Sequence, residues 1–366
     1  MTIGITILLI STITILFLYL SPQFGGKPSL EQQKLYAESK QYKNGKFVNE
    51  TGADVNMSFG DMSKTMLKYF NPPKFTIPDT PIPVAKVNPT ELMDYKGSSR
   101  LFWYGHSTFL LQINKKNILI DPMFGEVPAP HPWLGTKRFS DELPIDIKDL
   151  PKIDAVLISH DHYDHLDYNS IKALKNKVDL FYTPLGVGGH LKAWGIPEDK
   201  IIELDWWQDT TLFDLNFVCT PAQHFSGRGF SDRGKTLWCS WIIQTKEEKI
   251  FFSGDSGYSK HFKIIGEEFG PFDLALVECG QYNTLWHDIH MYPEETAQAG
   301  VDLNANRIIP IHWGAFKLAM HEWDEPVTRV LKAAQSLNLA VETPKIGEEI
   351  IVKLNNPDDT AWWKSF

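Results

Sequence analysis

The residue types best suited to chemistry stand together in one short stretch, residues 159–167. This stretch carries His160, His162 and His165, with Asp164 directly before the last of them, in the pattern His-x-His-x-Asp-His. Neutral imidazole and carboxylate are the ligands that zinc, and less exclusively manganese or iron, prefers in proteins. A lone histidine would be read as a polar loop residue, but a run this dense predicts a metal centre.

The spacing within the stretch indicates two metal ions rather than one. His160 and His162 are two positions apart, so on an extended segment their side chains point to the same side. Asp164 and His165 follow where the chain has begun to turn. The two pairs of side chains can therefore face one cavity from different sides.

The stretch is predicted to lie on a turn between a buried strand and a helix. Residues 153–158 before it form an apolar run of strand length, and residues 168–174 after it read as the start of a helix. An open α/β sheet usually carries its chemistry on turns of this kind. The neighbouring elements therefore agree with a functional site.

The stretch also resembles the signature of the metallo-β-lactamase superfamily. Together with further segments of the chain, it is similar to the N-acylphosphatidylethanolamine-specific phospholipase D branch and its bacterial relatives. Those segments are, in order, residues 102–108, 120–122, 221–225, 253–258, 292–295 and 310–314. The resemblance covers the chain from roughly Phe24 to the C-terminus and implies an α/β fold, an αββα sandwich of two sheets flanked by helices. The alternation of strand-like and helix-like segments is consistent with that fold.

The resemblance implies a complete ligand set for two zinc ions per chain. Three histidines would hold one ion, an aspartate and two histidines would hold the other, and a second aspartate would bridge them: His160, His162 and His224; Asp164, His165 and His312; and Asp255. His224, Asp255 and His312 each follow a strand-like apolar run. Ligands at several strand ends would then converge on one edge of the sandwich.

Three more residues are expected beside this ligand set. The resemblance implies that His106 and Asp121 lie next to the metals, where Asp121 would accept a hydrogen bond from a ligand imidazole or, alternatively, only end a strand. His290 would lie over the metals and either bond a phosphate oxygen or protonate the leaving alkoxide; the alternative is a surface histidine before a helix. The other histidines without a motif match are expected to be structural: His131, His190, His261, His287 and His321.

The predicted chemistry is hydrolysis by a dinuclear zinc enzyme with Asp164, Asp255 and His290 in catalytic roles. Zinc lowers the pKa of a bound water to about 7, so hydroxide would be available at neutral pH to attack phosphorus or a carbonyl. The resemblance implies a phosphodiesterase of phospholipase D type that acts on phospholipids such as N-acylphosphatidylethanolamine, although Ile289 stands where close relatives often carry a polar side chain. A lactonase or other ester hydrolase of the same fold is one alternative. A membrane-tethered metal-binding protein with weak activity is another, which the complete ligand set disfavours.

Composition bounds the class of protein. A chain of 366 residues that is 43% hydrophobic can bury a large core, and about 270 residues of it fit one α/β domain with an N-terminal extension. The net charge of −9 and the lack of a long Lys/Arg run disfavour a nucleic-acid partner. The three cysteines, Cys219, Cys239 and Cys279, form no C-x-x-C motif and are predicted to be buried thiols.

The N-terminus is predicted to anchor the chain in a membrane. Residues 3–20 form an uncharged apolar run, which as a helix would span about 27 Å, near the thickness of a bilayer core. A cleaved signal peptide is the alternative, disfavoured because no Lys or Arg precedes the run and no A-x-A site follows it. The predicted organisation is a single-pass transmembrane anchor over 1–21, an extended proline-rich arm over 22–97, and the hydrolase domain over 98–366.

Overall fold

The structure, a computed structural model, describes residues 2–55, 60, 61, 63, 67, 72–353 and 361–366. Its helices are α1 (Thr2–Leu20), α2 (Leu30–Tyr36), α3 (Pro89–Met93), α4 (Tyr168–Leu174), α5 (Gly188–Ala193), α6 (His261–Phe269), α7 (Pro293–Asp302) and α8 (Glu325–Leu337). Short 3-10 helices lie at Pro22–Phe24, Ile147–Asp149, Glu198–Lys200, His287–Ile289 and Trp362–Ser365.

Most strands of the described residues belong to two large sheets. The strands are β1 (Tyr42–Lys43), β2 (Lys46–Phe47), β3 (Arg100–Trp103), β4 (Phe109–Ile113), β5 (Lys116–Ile120), β6 (Ile153–Leu157), β7 (Val178–Pro184), β8 (Ile201–Leu204), β9 (Asp209–Leu212), β10 (Leu215–Thr220), β11 (Ser240–Gln244), β12 (Lys249–Phe252), β13 (Leu274–Glu278), β14 (Arg307–Ile311), β15 (Ala340–Val341) and β16 (Glu349–Ile351). The first sheet has the order β16-β3-β4-β5-β6-β7-β8, and the second has the order β15-β14-β13-β12-β11-β10-β9. In each sheet one half is antiparallel and the other is parallel, from β5 to β8 and from β12 to β15.

The two sheets pack face to face with helices outside. Because successive side chains of a strand point to opposite faces, neighbours on β3 enter different clusters. Leu101 packs in a cluster that also contains Trp241 of β11, whereas Phe102 packs in a second cluster with Ile171 of α4. The helix α5 contacts β8 of the first sheet, and α7 and α8 contact β13, β14 and β15 of the second. This layering is the αββα sandwich that the family resemblance implies.

The three cysteines are buried in the body of the sandwich, as predicted. Cys219 lies on β10, Cys239 directly before β11, and Cys279 directly after β13. All three are free thiols, so the fold is held by packing and hydrogen bonds rather than by a disulfide.

The predicted transmembrane anchor is wrong. Among the residues that the structure describes, no helix is long and apolar enough to cross a membrane. The helix α1 has 19 residues, several of them Thr or Ser, and its last turns contact the rest of the chain. The Phe17 ring packs at 5.7, 5.0 and 6.0 Å from the rings of Phe24, His131 and Trp133. The predicted single-pass membrane localisation is wrong for the same reason.

The segment that follows α1 lies on the sandwich and reaches its functional edge. Tyr36 and Phe47 are buried in the main hydrophobic cluster. The Asn49 side chain donates a hydrogen bond of 2.7 Å to the carbonyl oxygen of His224 and accepts one of 3.2 Å from the backbone N–H of the same residue. These contacts support one backbone position of the site. The boundary between an arm over 22–97 and a domain over 98–366 stays a prediction.

Candidate metal centre

The predicted ligands lie just past the carboxyl ends of strands. His160 follows β6, His224 follows β10, Asp255 follows β12, and His312 follows β14 directly. β12, β13 and β14 are parallel neighbours, so their ends meet at one edge of the second sheet. His160, which follows β6 of the first sheet, lies in one group of donors with His224 and Asp255 from the second sheet. The sandwich therefore brings together donors that are far apart in sequence.

The backbone is strained at this edge. His106, Asp121 and His312 have φ angles of 54°, 39° and 68°, in the left-handed region that non-glycine residues rarely adopt. Such conformations persist where the surrounding contacts impose them, and they concentrate at functional sites. Here the backbone N–H of His312 donates to the carbonyl oxygen of His106 at 3.1 Å, which ties two of the three positions together.

One set of four donors converges from three loops. His162 Nδ1 lies 3.0 Å from His160 Nε2 and 3.1 Å from His224 Nε2. Asp255 Oδ2 lies 3.8 Å from the Nε2 atoms of both His160 and His224. A tetrahedral ion with metal–nitrogen bonds of about 2.0–2.1 Å needs donor atoms about 3.4 Å apart. The observed spacing brackets that value, so this first donor set fits a metal ion.

Hydrogen bonds prepare these imidazoles to act as ligands. His224 Nδ1 contacts the carbonyl oxygen of Ile289 at 3.1 Å; a carbonyl only accepts, so Nδ1 carries the proton and Nε2 keeps its lone pair. Burial lowers the pKa of His160 and His224 well below the ordinary value and that of His162 to about 4. At neutral pH these imidazoles are therefore uncharged, so their lone pairs can coordinate a metal ion.

A second donor set lies on the other side of Asp255. Asp255 Oδ1 lies 3.1 Å from His165 Nε2 and 3.0 Å from His312 Nδ1, and Asp164 Oδ2 lies 3.6 Å from His165 Nε2. His165 Nε2 and Asp255 Oδ1 are buried without a hydrogen-bond partner in the described part of the chain. Burial would lower the pKa of His165, but the charges of Asp255 and Asp164 raise it well above its ordinary value. The carboxylates thus favour positive charge here, which a metal ion would supply.

Asp255 joins the two sets. Its Oδ2 faces the first donor set and its Oδ1 faces the second, which is the arrangement of a bridging carboxylate. The structure brings together all the ligands expected from the sequence: His160, His162, Asp164, His165, His224, Asp255 and His312. These residues and their neighbours form two groups of four and two overlapping groups of three. Within each group, the donor atoms all lie within 4.8 Å of one another.

Asp121 and His106 orient the second donor set. Asp121 Oδ2 accepts from His165 Nδ1 at 2.7 Å, and Oδ1 accepts from the Ser159 backbone N–H at 2.7 Å. His165 Nδ1 therefore holds the proton, and its Nε2 is left for a metal. His106 Nε2 lies 2.8 Å from Asp164 Oδ2 and so fixes the rotation of that carboxylate. Asp121 therefore accepts a hydrogen bond from a histidine of the donor set, and it also directly follows the last residue of β5.

Asp161, which the sequence leaves without a role, bonds His190, a histidine expected to be structural. The Gly26 backbone N–H donates to His190 Nδ1 at 3.1 Å, so His190 Nε2 carries a proton and donates to Asp161 Oδ2 at 3.2 Å. Burial would raise the pKa of Asp161, but the hydrogen bond and charge of His190 lower it to about 2. This pair links the ligand loop to the segment after α1.

His290 lies over the two donor sets. Its ring centroid is 5.0 Å from that of His224 and 5.4 Å from that of His312, and one ring nitrogen lies within 4.8 Å of donor atoms of Asp255 and His312. It is slightly exposed, on the segment between the 3-10 helix His287–Ile289 and α7. The sequence missed its partner, the buried carboxylate of Glu278. The available signal was an acidic residue that ends the apolar strand between those carrying Asp255 and His312.

Comparison with known proteins identifies the family. A family described as beta-lactamase superfamily domain matches residues 116–313, more than half of the chain. The chain belongs to the beta-lactamase superfamily. As a member of this superfamily it is 41% identical over 321 residues to an uncharacterized protein of Mycobacterium tuberculosis, which covers 86% of this chain and 84% of that protein.

Two further relatives bear on the chemistry and on the fold of this superfamily member. The N-acyl-phosphatidylethanolamine-hydrolyzing phospholipase D 1 of Caenorhabditis elegans is 32% identical over 259 residues, with 67% of this chain and 72% of that protein covered. The structure of a metallo hydrolase from the archaeon Ignicoccus hospitalis aligns with a TM-score of 0.52 at 20% identity over 69% of this chain and 98% of that one, and shows the shared fold. The superfamily member described here is a metal-dependent hydrolase with buried His/Asp clusters that can hold metal.

Proposed function

We propose that this chain is a dinuclear zinc phosphodiesterase of phospholipase D type that acts on phospholipids resembling N-acylphosphatidylethanolamine. The observation that carries the proposal is the Asp255 carboxylate, which presents one oxygen to each of two donor sets. A shared carboxylate suits a pair of ions, and paired ions suit the in-line displacement of a phosphate ester. The named activity of the C. elegans relative supports a phospholipid as the substrate class.

The donor chemistry favours zinc. His160, His162 and His224 would hold one ion, and Asp164, His165 and His312 the other, with Asp255 between them. Imidazole and carboxylate without thiolate suit zinc in a tetrahedral site. Zinc bound there would polarise a phosphoryl oxygen and lower the pKa of a coordinated water to about 7.

His290 supplies the proton in this proposal. In hydrolysis of the phosphodiester, a water that has released one proton to solvent bonds through its oxygen to phosphorus, and the bond from phosphorus to the headgroup oxygen breaks with its electron pair on that oxygen. An alkoxide is a poor leaving group, so an N–H of His290 transfers its proton to it. The position of His290 over the donor sets, slightly open to solvent, supports this role.

One aromatic ring lies next to the donors. The Phe225 ring packs at 4.5 Å from the ring of His162, and the Arg233 guanidinium lies 4.0 Å from the centre of the same Phe225 ring. Ile289, in contrast, has a buried side chain and contributes its carbonyl oxygen to His224. Its apolar character therefore removes no polar group from the space open to substrate, and headgroup selection falls to other side chains.

Substrate profiling tests the proposal. Zinc-loaded full-length protein would be given N-acylphosphatidylethanolamine in mixed micelles, bis-p-nitrophenyl phosphate and a panel of lactones, with products identified by mass spectrometry. The expected result is phosphatidate and N-acylethanolamine from the lipid and turnover of the aryl diester. Turnover of lactones without either diester would overturn the phosphodiesterase assignment and favour an ester hydrolase. Metal binding without turnover of any substrate in the panel would also contradict the proposal.

A further inference from the structure

Glu278 is a buried carboxylate beneath His290 that no role described above explains. It ends β13, its side chain has no exposed surface, and one of its oxygens, Oε1, is hydrogen-bonded to His290 Nδ1. The other oxygen, Oε2, accepts the backbone N–H of Ser256 at 2.6 Å. Ser256 directly follows Asp255, so Glu278 contacts both the proposed acid and the backbone next to the shared ligand.

The backbone of Glu278 is held as firmly as its side chain. Its N–H donates to Ser253 Oγ at 2.9 Å, and its carbonyl oxygen accepts from Thr296 Oγ1 at 2.7 Å. The carboxylate is therefore fixed relative to β12 and α7. A buried carboxyl group is costly unless its oxygens are hydrogen-bonded, and His290 and Ser256 satisfy one carboxyl oxygen each.

The contact decides which nitrogen of His290 is available. Nδ1 is engaged by Glu278, whereas Nε2 has no hydrogen-bond partner among the residues that the structure describes. Nε2 is thus left to face a substrate. In Ser-His-Asp enzymes a buried carboxylate acts on the same atom of the catalytic histidine, where it fixes the tautomer and the ring orientation.

We infer that Glu278 is the positioning residue for His290, so that the Glu278–His290 pair presents an Nε2–H to the leaving oxygen of the substrate. This inference rests on the proposed function for the identity of the reaction. The hydrogen bond itself can be observed without turnover.

The proton balance explains why a carboxylate is needed. With one proton shared between Glu278 Oε1 and His290 Nδ1, the Nε2 atom carries a separate N–H. When the phosphorus–oxygen bond breaks, the leaving oxygen takes the Nε2 proton. The shared proton then stays on Nδ1, and Glu278 is a carboxylate. His290 ends as a neutral ring, so no imidazolate forms.

An amide at position 278 would separate positioning of the ring from proton transfer. In Glu278→Gln the amide oxygen accepts from the Ser256 N–H, and the amide NH₂ donates to His290 Nδ1. His290 is then held in the same place as a neutral ring with its proton on Nε2. Loss of that proton would create an imidazolate, because the amide cannot supply a proton to Nδ1. The variant is expected to keep its metals and its fold but not the proton transfer.

Kinetics with two leaving groups tests this inference. Zinc-loaded Glu278→Gln should lose about 10²–10⁴-fold in kcat on the lipid, the usual contribution of a positioned acid. It should lose far less on bis-p-nitrophenyl phosphate, whose leaving group needs no proton. Glu295→Gln is the matched control. The Glu295 carboxylate on α7 lies 2.8 Å from the ring of His287, so this variant also alters a contact between a carboxylate and a histidine, but one that does not involve His290. Equal losses on both substrates, or a loss in the control as large as in Glu278→Gln, would overturn the inference.

A double variant guards against a folding defect. If Glu278 acts through His290, then adding Glu278→Gln to His290→Ala should reduce kcat no further, because residues that work as a unit are not additive. A general loss of fold would reduce the activity of the double variant below that of His290→Ala. That outcome would assign Glu278 a structural role instead.

Proton NMR gives a measurement that does not depend on turnover. In zinc-loaded protein with ¹⁵N-labelled histidine, a strongly deshielded proton on His290 Nδ1 is expected, assigned by its loss in His290→Ala and absent from Glu278→Gln. A missing proton in the wild type would overturn the inference even if the lipid is hydrolysed. If the proton is present and no phosphodiester is hydrolysed, the proposed function fails and the Glu278–His290 pair stands.

Discussion

At the residue scale, the two oxygens of the Asp255 carboxylate serve different donor sets. Oδ2 lies 3.8 Å from the Nε2 atoms of His160 and His224, and Oδ1 lies 3.0–3.1 Å from His312 and His165. No sequence motif fixes these distances, since the residues come from separate strands. The motif His-x-His-x-Asp-His predicted the ligand types, and the sandwich supplies their convergence.

The proposed acid gives the first prediction. His290→Ala should keep the metal content of the wild type, because His290 is outside the proposed ligand set, yet lower kcat on the lipid by about 10²–10⁴-fold. The same loss should appear in kcat/KM, since the contact tightens as charge builds on the leaving oxygen. Steady-state kinetics on the lipid and on an aryl diester measures both effects. Unchanged kcat on the lipid would contradict the general-acid role of His290.

Asp121 gives a second prediction at this scale. Asp121→Asn should weaken binding of the ion held by His165 by about 10–100-fold, the usual effect of losing an outer hydrogen bond to a ligand. Asp121 now accepts hydrogen bonds from His165 and from Ser159. In the asparagine variant the amide NH₂ would face one of these two N–H groups, and that hydrogen bond would be lost. Competition with a chromophoric chelator measures the affinity. Asp154→Asn, which removes a carboxylate that binds Lys116 away from the site, should leave it unchanged.

At the element scale, the site depends on how closely β13 and β14 approach after their last residues. A Cβ atom on Gly280 would lie 2.0 Å from the carbonyl oxygen of His312. Gly280→Ala should therefore displace His312, with lower stability and loss of the ion that His312 holds. Thermal unfolding and elemental analysis check this. Gly97→Ala is the control, because its Cβ would meet no atom within 4 Å. An unchanged metal content in Gly280→Ala would contradict the prediction.

The sequence predicted strands and helices where a local pattern of residues determines them. It did not predict which side chains contact the site residues. The strand before the ligand stretch and the helix after it match β6 and α4. Glu278 could not be assigned a partner, because its contact with His290 depends on where α7 begins relative to β13. The apolar run over residues 3–20 forms α1, but the composition did not reveal that Phe17 packs against Phe24 and the loop at Trp133. Local periodicity carries no information on such long-range contacts.

At the scale of the whole molecule, burial holds many histidines neutral, both in the site and outside it. Burial lowers the pKa of His106 and His162 to about 4 and that of His261 to about 3, from an ordinary 6.5. Three groups of the site have a raised pKa instead: His165 because of its carboxylate neighbours, and Asp255 and Glu278 because of burial. The histidines with a lowered pKa outnumber these groups, because they also include His160, His224 and His312.

Acid should therefore destabilise the metal-free protein. A histidine with a lowered folded-state pKa contributes stability that is fully present above 6.5 and is lost as pH falls toward the folded value, because the unfolded chain takes up the proton first. Chelator-treated protein should show a lower denaturant midpoint at pH 5 than at pH 7. Zinc should raise the midpoint at pH 7, since it binds the folded state. Equal midpoints at the two pH values would contradict this explanation.

Metal stoichiometry tests whether Asp255 links two metal ions in one site. Elemental analysis of the purified full-length protein is expected to give about two zinc ions per chain. Asp255→Ala should lose at least one of them together with turnover, whereas Asp179→Ala, which alters a carboxylate paired with Lys152 at the surface, should keep both. One ion per chain in a fully active wild type, or two ions retained in Asp255→Ala, would contradict the claim.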